Sequence, residues 1–74
     1  MNYELNIIFP LNSKWKETNS TIIKTIGHSG SSGAGFGERD MQFNYKTNAA
    51  AEKAALKIKA LKIPKLKTFI INRD

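Results

Sequence analysis

The chain has 74 residues, a formal charge of +6 from 12 Lys and Arg against 6 Asp and Glu, and no cysteine. Without cysteine there is no disulfide scaffold, no cysteine-based zinc finger and no thiol chemistry, and a small unstapled domain points to a reducing cytoplasm. A single domain over residues 1–74 buries roughly 60% of the surface of its unfolded chain, which leaves no room for a deep, walled active site.

Residues 3–9 alternate. Tyr3, Leu5, Ile7 and Phe9 share one side, and Glu4, Asn6 and Ile8 share the other. This spacing predicts a half-buried strand, which Pro10 ends because proline lacks the N–H a ladder needs. Glu4 and Asn6 also break the apolar stretch that a signal peptide would require. No apolar run approaches membrane-spanning length.

Asn12 or Ser13 is placed to cap a helix. Trp15, Ile22, Ile23 and Ile26 then fall on one helical face, with Thr18 or Asn19 filling the gap. A second reading competes over 20–26, where the β-branched run from Thr21 to Ile26 also suits a strand. Gly27 favours the helix, since it fits the left-handed residue that closes one.

All five glycines lie between Gly27 and Gly37. The sequence predicts a Gly/Ser-rich loop over 27–38, or a short strand within it that pairs with the next one. From Arg39 to Lys46 the chain alternates again. Met41, Phe43 and Tyr45 face one way, and Asp40, Gln42 and Asn44 the other. Thr47 or Asn48 caps a second helix over 49–63, rich in strong helix formers. Its stripe of Ala51, Ala54, Ala55, Ile58 and Leu61 is made mostly of small residues and can lie close to a sheet. Leu56 falls on the opposite side, near Lys53 and Lys59. Pro64 is expected to stop the helix, and 67–73 reads as the last strand. The order predicts an α+β fold of the ferredoxin-like βα(β)βαβ type, an antiparallel sheet of three or four strands with two helices packed on one face.

This order, with Gly35-Phe36-Gly37 opening the third element, loosely resembles the RNA-recognition-motif domain. In that family the strand carries K/R-G-F/Y-G/A-F-V-x-F/Y, and its aromatics stack bases. The likeness covers the element order but only three residues of the motif. Glu38, Arg39 and Asp40 follow where an aromatic belongs. The outward set expected here is Glu4, Asn6, Ile8, Asp40, Gln42 and Asn44, with no ring and two acids. The resemblance therefore implies a shared topology and not base stacking.

The glycine window is neither a dinucleotide fingerprint nor a Walker loop, because a helix precedes it and no Gly-Lys-Ser/Thr is present. Two readings remain. In one it is a solvated hairpin loop. In the other, glycine amides of Gly33 and Gly35, the hydroxyls of Ser29, Ser31 and Ser32, and Arg39 surround a phosphate. Phe36, a large ring among glycines, is either tucked into the core or presented to a partner. The Glu38-Arg39-Asp40 triplet either pairs internally or clamps a ligand. His28, the only histidine, has no companion ligands for a metal and no triad geometry. Lys53 and Lys57 share one helix face, which is a solvated face or a contact for an acidic surface. Ten of the 12 cations are lysine, which weakens sequence-specific reading of nucleic acid.

These features predict a non-enzymatic binding module without a cofactor. The candidate contact residues are Ser31, Ser32, Gly33, Gly35, Phe36, Arg39, Lys53 and Lys57. An acidic protein surface is the first partner class. Nucleic acid or a small nucleotide is the alternative, and no membrane is implied. Pairing of two copies through a sheet edge is a further option, and the one route to a composite enzyme site. The cysteine-free, lysine-rich composition is similar to that of small phage-encoded proteins that modulate host machinery, including defence inhibitors. It suggests an inhibitor or adaptor.

Overall fold

The computed structural model describes residues 2–28 and 30–73. The element order is β1 (Tyr3–Pro10), α1 (Trp15–Ile26), β2 (Ser31–Gly35), β3 (Glu38–Tyr45), α2 (Asn48–Lys59) and β4 (Lys67–Asn72). The strands form one four-stranded sheet in the order β2-β3-β1-β4, antiparallel at every junction. The protein is thus α+β, with two helices on a four-stranded antiparallel sheet. β1 and β2 run the same way with α1 between them, and so do β3 and β4 with α2 between them. No helix among the described residues is long and apolar enough to cross a membrane.

The register sets which side chains meet. Leu5 lies opposite both Phe43 and Ile70, and Ile7 lies opposite Met41 and Thr68. Opposite residues point to the same face, so Leu5, Ile7, Phe9, Met41 and Phe43 form one apolar layer, all buried. Ile22 of α1 and Ala54, Ala55 and Ile58 of α2 close over it, and Trp15, Ile23, Ile26, Leu61 and Ile70 pack at its margin. Alanine at the sheet-facing positions of α2 lets its backbone settle across β1 and β4.

Residues 20–26 are helical, as the apolar spacing predicted, and Gly27 closes the helix at φ 95° with its N–H on the Ile23 carbonyl at 2.8 Å. Threonines survive inside this helix because Thr21 and Thr25 donate their hydroxyls to the carbonyls four residues earlier, at 2.9 and 2.8 Å. The cap differs from expectation. Asn12 Oδ1 accepts from the Lys14 N–H at 2.9 Å, so it closes the turn before the helix. Lys14 itself stands at the N-cap position.

Thr47 caps α2, its hydroxyl accepting from the Ala50 N–H at 3.1 Å. The helix does not reach Pro64. It ends at Lys59, tightens through Leu61 N–H to Ile58 and Lys62 N–H to Lys59, and breaks at Lys62, whose φ is 53°. A left-handed lysine terminates it before proline can.

The glycine window holds a strand. β2 pairs with β3 from Ser31 opposite Gln42 to Gly35 opposite Glu38, and Phe36-Gly37 joins them. Both turn residues have positive φ, 54° and 76°, which defines a type I′ turn, the two-residue loop whose twist matches that of the strands. The loop expected over 27–38 is therefore a hairpin for most of its length. Gly30 starts it at close quarters, since a β-carbon there would collide with the Gln42 carbonyl oxygen, whereas one at Gly35 would meet nothing within 4 Å. Gly30→Ala should therefore destabilise the fold by about 1–3 kcal/mol, as overpacking does. Gly35→Ala should be neutral within about 0.5 kcal/mol. Chemical denaturation of both variants checks the pairing, and equal stability of the two would contradict it.

Candidate functional site

The β2–β3 hairpin carries most of the residues singled out from sequence. At its tip Phe36 is fully exposed, at 107% of its reference area. A non-glycine residue at left-handed φ costs about 1–2 kcal/mol, and the first position of a type I′ turn normally holds Asn, Asp or Gly. Phe36 thus combines two unfavourable features, backbone strain and a bare aromatic ring. The Gly37 carbonyl accepts from the Leu11 N–H at 2.9 Å, which ties the turn to the end of β1 and fixes where the ring projects. Beside it runs a shallow groove of about 350 Å³, lined by Ile8, Ala34, Gly35, Phe36, Glu38 and Asp40.

Arg39 does not join Phe36. It lies opposite Phe9 and Ala34, which turns its side chain to the helix layer. There its Nε donates to Asn19 Oδ1 at 2.8 Å, its Nη2 donates to Ser32 Oγ at 3.0 Å, and its guanidinium stacks 4.9 Å from the Trp15 ring centroid. Arg39 thus has internal partners, but they are an amide, a hydroxyl and an indole of other elements rather than the acidic neighbours of the Glu38-Arg39-Asp40 triplet. Arg39 clamps α1 onto the hairpin. Arg39→Met keeps the stem but loses two charge-assisted bonds and a cation–π contact, and should cost about 1–3 kcal/mol. Arg39→Lys should rescue little, since an ammonium cannot reproduce the fork. Thermal melts of both variants provide the check, and full rescue by lysine would refute the clamp.

The phosphate cradle foreseen at the window does not assemble. Residues 31–35 are extended, so their amides alternate toward and away from β3 and do not converge on one anion. Ser31, Gly33 and Gly35 share the open face, while Ser32 and Arg39 share the helix face. Ser29 lies outside the described residues. Glu38 and Asp40 line the groove by Phe36 and repel a phosphate there.

Lys53 and Lys57 sit elsewhere. They line a groove of about 200 Å³ between the helices, with Thr25, Ile26, Tyr45, Ala50 and Ala54. This groove shares no residue with the one beside Phe36, so the eight candidates divide among the open face at the hairpin tip, the helix face with Ser32 and Arg39, and the groove between the helices. Leu56 faces the β4 edge with Glu52 and Lys59. His28 is exposed, but its ring meets Phe43 edge-on at 5.7 Å and lies 6.2 Å from Tyr45, so it shields the core margin. Among the described residues no group of three or more His, Cys, Asp or Glu is placed to hold a metal ion.

The open face of the sheet departs from expectation at two residues. Phe69 lies opposite Asn6, so a ring is present on this face, 45% exposed. It escaped the sequence reading because Phe69-Ile70-Ile71 is continuously apolar and shows no alternation. Asn6 stands on the open face as expected but is only 6% exposed, and its amide donates to the Glu4 carbonyl at 3.4 Å. Arg73 donates from Nη2 to Glu4 Oε1 at 3.0 Å, and this bond holds the Glu4 carboxyl below the usual carboxylate range. A lowered value stabilises the fold above the unfolded carboxyl's range, and the benefit is lost as the pH falls through the folded value. In Arg73→Leu the Glu4 carboxyl should titrate nearer its ordinary range and the acid-side loss should shrink. A carboxyl-carbon NMR titration measures this, and an unmoved Glu4 would show that Arg73 is not the cause.

Compared with protein-family models, with curated proteins and with solved structures, the chain matches none.

Proposed function

We propose that this protein is a non-enzymatic binding module that docks on another protein through the tip of its β2–β3 hairpin. The observation that carries this reading is Phe36, strained and fully exposed where a turn-forming residue would be stabler. Strain of this kind persists where it serves a contact. The ring enters an apolar pocket of the partner, and Ile8 extends the apolar contact along the groove. Lys53 and Lys57, in their own groove, are the contact for an acidic surface. The cysteine-free, lysine-rich composition supports casting the module as an inhibitor or adaptor of the phage-encoded kind, working in a cytoplasm.

We also read the topology as a ferredoxin-like plait. Taken from the other edge the order is β4-β1-β3-β2, and two split βαβ units interleave in it. The alternative of a nucleic-acid or nucleotide ligand draws its support from the lysines of the helix layer. It requires a steep loss of affinity with salt.

Phe36→Asn separates the role of the ring from the stability of the turn. Relief of about 1 kcal/mol of strain should raise the melting temperature by about 4–8 °C. Capture of the partner from a native-host lysate should weaken about tenfold or more, as expected for an aromatic anchor. A variant that is stabler and still captures the partner fully would end the proposal.

A further inference from the structure

We infer that two copies of this chain pair through the outer edge of β4, extending the sheet across a two-fold axis and packing α2 against its copy. The inference does not depend on Phe36, which projects from the hairpin at the other edge of the sheet.

The first observation is the edge itself. The sheet ends at β4, and the segment Thr68–Ile71 contains no charge, proline or glycine. Those are the devices that normally blunt an edge against pairing. The opposite edge, β2, is short and built of serine, glycine and alanine, so the two edges are not equivalent.

Beside β4 lies the second observation, a groove of about 310 Å³ lined by Glu52, Ala55, Leu56, Lys59, Phe69 and Ile70 among others. Leu56 is 65% exposed on its helix side, and Phe69 projects on the sheet side. Glu52, Leu56 and Lys59 fall on one face of α2 at helical spacing. Their order is acid, apolar, base, and this sequence complements itself when read backwards. An antiparallel copy of α2 places Leu56 on Leu56, Glu52 on the copy's Lys59, and Lys59 on the copy's Glu52. One oxygen of Glu52 accepts from Asn48 Nδ2 at 3.1 Å, which leaves the other for the lysine. Isologous interfaces demand this kind of self-complementarity.

The third observation is spacing. α2 lies across β1 and β4 and also reaches β3. Neighbouring strands stand about 4.8 Å apart, so joining β4 to its copy sets the two α2 helices at least two strand spacings apart. That is roughly 10 Å at the nearest, the upper end of the distance at which helices pack. One edge-to-edge contact therefore satisfies both layers at once.

The register follows from charge. An axis at Phe69 pairs Phe69 with its copy on the open face and Thr68 with Ile70 on the helix face. It sets Lys67 against Ile71. An axis at Ile70 would set Lys67, inside β4, against Arg73, whereas the axis at Phe69 brings only Lys65, beyond the strand, into line with Arg73. Phe69 and Leu56 line the same groove, so the proposed axis passes beside both.

Sedimentation equilibrium over a wide concentration range tests this with the intact chain. The expected mass is twice the 8.3 kDa of one copy. Leu56→Asp, on an exposed side chain and checked for fold by circular dichroism, should raise the dimer dissociation constant by about tenfold or more. Glu52→Lys and Lys59→Glu should each weaken the dimer, and the double swap should restore it. Net charge alone predicts the reverse for Lys59→Glu, because it lowers the repulsion between two basic copies. A chain that stays monomeric to millimolar concentration overturns the proposal. So does a dimer indifferent to Leu56→Asp, or a double swap no tighter than its parents.

Discussion

The register of β1 between β3 and β4 is the constraint on which the rest depends. Leu5 and Ile7 each answer a partner on both sides, and the helices cover the layer they form. A slip by one residue on either ladder would turn that layer outward and bury Glu4 and Ile8 in its place. The same register decides where chemistry can occur. It sends Arg39 to the helix layer and Asp40 to the open face, though the two are adjacent in sequence. It also puts Phe69 beside Asn6 on a face that local sequence reads as polar.

Regularity decided how much of this could be read from the chain alone. Alternation in 3–9 and 39–46 gave the two central strands, because a half-buried strand forces a period of two. Helical spacing gave Ile22 and Ile58 as core residues, and both are fully buried. β2 offered no such pattern, since serine and glycine carry no face. Its pairing comes from β3 and from the Phe36-Gly37 turn. The end of α2 was hidden for another reason. Lys62 adopts a left-handed φ that lysine does not announce. At the candidate site the sequence offered Phe36 as a contact-or-core choice, and the structure shows the ring exposed. It could not supply Asn19 and Trp15 as partners of Arg39, because these contacts join elements twenty or more residues apart in the chain.

Charge is sorted between the layers. The open sheet face holds Glu4, Glu38 and Asp40, half of the chain's six acids. The helices carry Lys16, Lys24, Lys53, Lys57 and Lys59. The open face also carries Lys67, opposite Ile8, and Arg73, bonded to Glu4, and the helices carry Glu17 and Glu52, so the basic excess lies on the helix side and the net charge overstates how a partner at the sheet would see it. This sorting explains why the hairpin groove, with Glu38 and Asp40 in its wall, suits an apolar anchor better than an anion. It also separates the two surfaces proposed for contact, so that occupation of one leaves the other open.

The ladders differ greatly in the chain length they must close. β2 meets β3 across a two-residue turn, whereas β1 meets β4 with nearly the whole domain between them, and Arg73 donates its N–H to the Asn2 carbonyl at 2.8 Å to complete that pairing. Loop-closure entropy grows with the length enclosed, so local contacts form more readily than distant ones. The closure cost is therefore least for the hairpin and greatest for the β1–β4 ladder. Wherever β4 is detached, the flank of β1 is an open edge to any extended chain nearby. The strand that closes the longest loop both completes the sheet and covers that edge.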